Sequence, residues 1–542
     1  MTTHTNKHLI YIAVTLLSFM NGLVAQEADF GTDKAITTTN YGQVRGLIQE
    51  GIYTFKGIPY AQANRFEAPQ PPEAWEGVRS SLVYGPVAHL MTPTSVSNDE
   101  SEFVFNHSWG YPGEDNLVLN IWTPSCSDNK KRPVMFWIHG GGFTAGSSQE
   151  LPSYDGKNLA KSGDVVVVSI NHRLNILGFL DLSAYGERFK TSANNSLLDM
   201  EAALRWVQEN IEHFGGDPNN VTIFGQSGGG AKVNALMAMP SAKGLFHKAI
   251  NQSGAFRGSI PTKELTERVA KKVVEELQLD NASIEQIQTL PWETIRDAGN
   301  IAIAAINAEL QSEGQDTGVF GYNWGPSLDG IVLPHDVQSA AALELSKDIP
   351  LMIGTVKNEF FTTLWSGIPT NDQEKVNAYI AQTYKDRADE YVTLAKKAYP
   401  HLKSPGDLID IDFLFRPGAV RQANLKSSLN GGGAVFMYFF EWESPVFDGK
   451  YKSMHCFELP FVFNNVESCF GMTGGSNSDT DAIAQQVSKA WVSFARNGNP
   501  NHEDLVQWPA YTKKNTATMF FNVKSHTGPQ HDKELLQFIS AN

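Results

Sequence analysis

The sequence predicts an α/β fold built on a large, mostly parallel central β-sheet flanked by helices. Two observations predict it: short continuous apolar runs of strand length, and segments of helical period that alternate with them. A strand covered on both faces has no solvent side, so it reads as an unbroken apolar run rather than as an alternating one. Strand, helix, strand in that order favours parallel pairing, because the helix returns the chain along one face of the sheet.

Taken in order, the first run is Val134-Met135-Phe136-Trp137-Ile138, and the second, from Val165 to Ile170, is rich in β-branched residues. Leu204, Val207, Ile211 and Phe214 then recur at helical spacing, and Gly215-Gly216 stops that helix. Val221 to Phe224 follows as a strand and Ala231 to Met239 as a helix. Later strands are predicted at Ile349 to Ile353 and Val435 to Phe439, and Ile483, Val487, Trp491 and Phe494 mark an amphipathic helix near the C-terminus. No internal repeat or Pro/Gly/Ser-rich linker divides the chain, so residues 26–542 read as one domain with long excursions.

Composition narrows the function. The chain is 41% hydrophobic and 19% charged, enough apolar content for a sizeable core. A formal net charge of −15 without any Lys/Arg run argues against nucleic acid as a partner. At the N-terminus, Lys7 and His8 precede an apolar stretch from Leu9 to Met20, and Leu23-Val24-Ala25 places a small residue before Gln26. That pattern predicts a cleaved signal peptide over residues 1–25 and a secreted or periplasmic protein. The stretch is interrupted by Thr15 and Ser18 and is shorter than the roughly 20 residues that span a bilayer, so no membrane span is expected after cleavage. No cysteine follows it to carry a lipid, and the three cysteines, Cys126, Cys456 and Cys469, leave at least one thiol unpaired within the chain.

The residues that carry chemistry centre on Gly225-Gln226-Ser227-Gly228-Gly229. A serine hydroxyl is a weak nucleophile, so an enzyme that uses one exposes it sharply, sets a base beside it and prepares donors for the oxyanion. Ser227 lies between a predicted strand and a predicted helix, and the flanking glycines permit a tight strand-to-helix turn. Upstream, His139-Gly140-Gly141-Gly142-Phe143 follows the strand ending at Ile138, where a glycine loop can aim backbone N–H groups at an oxyanion. Gly141, Gly142 and Gly228 are the expected donors. By itself a Gly-Gly-Gly run is equally a flexible turn; a phosphate loop is disfavoured because no Gly-Lys-Ser/Thr follows.

With these motifs the chain resembles the type-B carboxylesterase family, which includes cholinesterases and bacterial para-nitrobenzyl esterases. The resemblance also rests on Gly57-Ile58-Pro59-Tyr60-Ala61, Arg65-Phe66, Glu114 to Asn120, Asn171-His172-Arg173-Leu174, Phe214 to Pro218, Trp491 to Arg496 and Trp508-Pro509, in order along most of the sequence. It implies the α/β-hydrolase fold, with long inserted loops and helices around an active-site gorge. It further implies Glu359, in Ile353 to Glu359, as the acid of a triad and His455, in His455 to Phe463, as its base. The chain order Ser227, Glu359, His455 is the order expected for that fold. His139 could be mistaken for the base, but its place beside the glycine loop suits a structural role.

On this resemblance the expected activity is hydrolysis of a small-molecule carboxylic ester through an acyl-enzyme, with no metal or organic cofactor. Many relatives carry Glu where Gln226 stands, so the site is expected to hold less negative charge and to favour neutral over choline esters. Trp109 lies near the region of the choline-binding tryptophan but at a different offset. Many relatives also have a cysteine at the position of Asn116, so the entrance loop from Val83 to Tyr111 is less restrained here. Conversely, Cys456 and Cys469 are close enough in sequence to bridge and restrain the His455 loop. Arg65 with Glu114, and Arg173 with Asp199, resemble the family's structural ion pairs. Competing readings are a specialised hydrolase of a phenolic ester, polyester, lactone, toxin ester or amide, and, in a different class, a non-catalytic cholinesterase-like binding protein, disfavoured because all three triad residues are present.

Overall fold

The computed structural model describes residues 34–541 apart from 93, 95, 97, 256–259, 316, 319 and 320. The segment read as a signal peptide, residues 1–25, lies outside the described residues.

An eleven-stranded sheet organises the chain. Its strands are β1 (Leu47–Gln49), β2 (Ile52–Pro59), β3 (Val118–Thr123), β4 (Arg132–Ile138), β5 (Val166–Ile170), β6 (Gly216–Gln226), β7 (Lys248–Gln252), β8 (Leu351–Val356), β9 (Val435–Phe440), β10 (Ala517–Phe521) and β11 (His526–Pro529). Across the sheet they run β1-β2-β3-β5-β4-β6-β7-β8-β9-β10-β11. From β5 through β10 every pairing is parallel, and β1 to β3 and β11 add antiparallel edges. The expected strands are present, though β6 starts earlier than Val221 and the strand expected from Ile349 begins at Leu351.

Alternate residues of each central strand enter different cores. Val134, Phe136 and Ile138 of β4 join one core together with Leu204 and Val207 of a helix, α1 (Asn195–Asn210). Met135 and Trp137 point the other way, into a second core with Ile483, Val487, Trp491 and Phe494 of the C-terminal helix α3 (Ser478–Asn497). This two-sided burial is the reason the strands read as continuous apolar runs. A short 3₁₀ turn, Ile211–Phe214, ends α1, and Gly215 at φ 73° provides the left-handed stop.

The helix after Ser227, α2 (Gly228–Ala238), begins earlier than the apolar pattern suggests, so Gly228, Gly229 and Gly230 form its first turn. Side chains there have no room: a Cβ on Gly229 would lie 2.1 Å from the Ile138 carbonyl oxygen. Among the described residues, no helix is long and apolar enough to cross a membrane.

The chain leaves β4 for β5 on one side, then crosses to place β6 on the other side of β4. In open α/β sheets, sites form at the carboxyl ends of strands around such a reversal. Here those ends are Ile138 and Gln226.

Candidate active site

Ser227 follows β6 at φ 56°, ψ −126°, a conformation that side-chain-bearing residues rarely adopt. Its own N–H donates to the Gln252 carbonyl at the end of β7, 2.8 Å away, and its carbonyl accepts from Ala231 N–H at 3.0 Å. The turn is thus held from both sides and leaves the side chain partly open to solvent.

The glycine loop meets this turn because β4 and β6 are neighbours in register, Ile138 opposite Gly225. Gly141 and Gly142 have φ of 80° and 61°, and Gly142 lies so close to Gly228 that a Cβ there would fall 2.2 Å from its carbonyl oxygen. The Gly141 carbonyl accepts from the Ala145 N–H at 3.0 Å. Among the described residues, the N–H groups of Gly141, Gly142 and Gly228 donate to no acceptor. The structure therefore brings Ser227, Gly141, Gly142 and Gly228 together.

Glu359 and His455 also meet, although 96 positions separate them. Glu359 stands just past β8 at φ 51°, and its Oε2 accepts from His455 Nδ1. The other carboxylate oxygen, Oε1, accepts from Ser253 Oγ at 2.6 Å and from Val356 N–H at 3.1 Å. Backbone pairing of Glu359 with Met454, and a 3.3 Å bond from His455 N–H to the Glu359 carbonyl, lock the two loops. The imidazole is walled by Phe360 and Phe415, with ring centres 4.3 and 5.0 Å away. Burial pushes His455 down to about 4, so the ring is neutral near pH 7.

The remaining ring nitrogen, Nε2, lies 3.1 Å from Gln226 Nε2. An amide nitrogen can only donate, so Nε2 accepts and Nδ1 carries the proton it gives to Glu359. The Cys456 thiol donates to Gln226 Oε1 at 3.3 Å and orients the amide in the same sense. Among the described residues, the hydrogen bond of His455 Nε2 is to Gln226 rather than to Ser227.

A model of the carboxylesterase family matches residues 33–539. The chain belongs to that family. It is 35% identical over 518 residues to the para-nitrobenzyl esterase of Bacillus subtilis (strain 168), covering 93% of this chain and 99% of the relative. It is 32% identical over 497 residues to the phenmedipham hydrolase of Pseudarthrobacter oxydans, covering 90% and 94%. A solved esterase from anaerobic Clostridium hathewayi, described as able to hydrolyse aliphatic aromatic polyesters, superposes with a TM-score of 0.81 at 36% identity over 93% of this chain and 98% of that one. This carboxylesterase-family chain thus has the α/β-hydrolase fold, and its family and relatives mark it as a carboxylic ester hydrolase.

One expectation fails in this family member and others hold. The expected bridge between Cys456 and Cys469 is not formed: all three cysteines are free. The reason is local geometry, since Cys456 at φ 76° points its thiol at Gln226, while Cys469 is buried at the end of a 3₁₀ turn, Glu467–Cys469. Trp109 is exposed and stacks on His107 at 4.4 Å. His139 is buried and stacked on His172 at 4.8 Å, away from the Glu359–His455 pair. Arg65 pairs with Glu114 and Arg173 with Asp199. Ser253 escaped notice, although Asn251-Gln252-Ser253-Gly254 sits at a strand end like the other site residues. The described residues contain no cluster of His, Cys, Asp and Glu placed to hold a metal.

Proposed function

We propose that the chain hydrolyses carboxylic esters through an acyl-enzyme formed on Ser227, with His455 as general base and acid and Glu359 as its orienting acid. Ser227 Oγ attacks the ester carbonyl as its proton passes to His455 Nε2, a transfer that requires the hydroxyl to take the place of the Gln226 amide on that nitrogen. Glu359, bound to Nδ1, fixes the tautomer and stabilises the imidazolium. The N–H groups of Gly141, Gly142 and Gly228 hold the oxyanion, each worth about 3 kcal/mol of barrier. The imidazolium then protonates the leaving alcohol, and water repeats the sequence on the acyl-enzyme.

The observation that carries this reading is the strained turn at Ser227 beside a loop whose N–H groups are free to donate. Gln226, neutral and against the base, supports neutral rather than choline esters as substrates. The N-terminal pattern supports export, with residues 26–542 as one catalytic domain.

The test is a panel of alkyl and aryl esters of graded chain length, a matched choline ester and an amide, with Ser227→Ala alongside. Loss of turnover in Ser227→Ala with retained folding is expected. Full activity in that variant, or a strong preference for the choline ester, overturns the proposal.

A further inference from the structure

We propose that Lys232 is a positioning residue for the oxyanion site: its ammonium, held behind the glycine loop, polarises the peptide unit that presents the Gly141 N–H. The proposal rests on the reading of Gly141 as an oxyanion donor and extends it to a side chain that does not touch the substrate.

Lys232 lies four residues after Gly228 on α2, so both occupy one face of that helix. Its side chain is fully buried, and Nζ donates to the carbonyls of His139 at 3.1 Å and Gly140 at 3.4 Å. The Gly140 carbonyl and the Gly141 N–H are the two ends of one conjugated peptide. A cation at the oxygen draws electron density toward it and makes the N–H a stronger donor, an effect that low local dielectric enlarges. The Gly140 carbonyl also lies 3.0 Å from Nδ1 of His139, so two nitrogens converge on the back of the peptide.

An ammonium buried without a hydrogen-bonded carboxylate is costly, and an apolar side chain would fill the same space without that cost. Neither acceptor of Lys232 is a carboxylate; both are carbonyls of the glycine loop. The other titratable groups facing it are Glu150, which favours the ammonium, and the stacked imidazoles of His139 and His172, both held neutral by burial. The Phe143 ring lies 5.9 Å from Nζ. Burial pushes Lys232 down to about 7. A folded lysine lowered in this way is charged below about pH 7 and loses its charge above it, so the polarisation acts on the acid side of neutrality.

The test uses the full chain and a neutral aryl ester. kcat and KM are measured across pH, with the inhibition constant of an aryl trifluoromethyl ketone, whose adduct with serine carries the oxyanion. In Lys232→Met, kcat at pH 6 is expected to fall about tenfold with KM changed less than about twofold, and ketone affinity to fall by a similar factor. The wild-type step in kcat near pH 7 is expected to vanish. Lys232→Arg, which stays charged, is expected to keep kcat and also remove the step. Glu150→Gln is expected to move the step to lower pH, and it decides the matter if neither Lys232 variant folds. Folded variants with wild-type kcat, pH profile and ketone affinity overturn the proposal. If Ser227→Ala retains turnover, the underlying reading falls as well; if it is inactive while Lys232→Met behaves as wild type, this proposal alone falls.

Discussion

The Gln226 side-chain amide donates to Nε2 of His455 across 3.1 Å, so the residue before the proposed nucleophile holds the nitrogen that the proposed base must use. A neutral donor there favours the unprotonated ring. A carboxylate at the same position has no proton to give and stabilises the imidazolium instead.

Replacing Gln226 with Glu therefore has a directional effect on pH dependence. Burial holds His455 down to about 4, and a general base works only when unprotonated, so activity is present above about pH 4 and lost below it. In Gln226→Glu the added charge raises the His455 pKa, and the acid limb of kcat/KM is expected to move up by roughly one unit. KM for a cationic ester should fall relative to a neutral ester of equal size. An unmoved acid limb in the pH–rate profile would show that the amide does not control the base.

Ser253 offers a second test, because its hydroxyl donates to Glu359 Oε1 at 2.6 Å and holds the carboxylate edge opposite His455. In Ser253→Ala one donor to a buried carboxylate is lost, and kcat/KM is expected to fall roughly tenfold, the scale of a hydrogen bond to a charged group. Ser253→Thr, which keeps the hydroxyl, should recover most of the loss. Unchanged steady-state kinetics in the Ala variant would make Ser253 a packing residue only.

Ser253 also shows where sequence reading stops. Strands covered on both faces are legible because their burial is written into consecutive residues, as from Val134 to Ile138. The first part of β6, Asp217-Pro218-Asn219-Asn220, was illegible because it lies at the partly exposed amino end of the sheet, where no apolar pattern is required. The small sheet of Ile36–Thr39, Gly42–Arg45 and Val78–Ser80 was missed for the same reason. Ser253 meets Glu359 only because β7 and β8 pair in parallel, Gln252 opposite Gly354. Chain spacing says nothing of that pairing, nor of the left-handed backbone that turns Cys456 toward Gln226 rather than Cys469.

The unbridged cysteines predict a thiol count. Burial pushes Cys126 up to about 12 and also raises Cys456 and Cys469 above the ordinary thiol range. Because the thiolate is the reactive form, native protein should react slowly with iodoacetamide, and protein denatured without reductant should take up three equivalents by intact mass. An uptake of one equivalent before reduction would show that a bridge forms after all.

The two ion pairs allow a prediction in which burial decides the magnitude. Arg173 and Asp199 have side-chain exposures of 7% and 0%, and Asp199 accepts from the Arg173 backbone N–H at 3.0 Å, from Nε at 2.9 Å and from a terminal nitrogen at 2.6 Å. Removing the carboxylate charge leaves a buried guanidinium uncompensated, so Asp199→Asn is expected to cost about 3–5 kcal/mol of stability. Arg65 and Glu114 are also joined by more than one hydrogen bond, but at 14% and 36% exposure water screens them, and Glu114→Gln should cost under about 1 kcal/mol. Urea midpoints at constant m-value provide the comparison. The acid limb of the pH–rate profile should stay in place in both variants, since neither pair touches His455. Equal destabilisation by the two substitutions would mean that burial does not set their worth, and a displaced acid limb in Asp199→Asn would connect that pair to the site rather than to the scaffold.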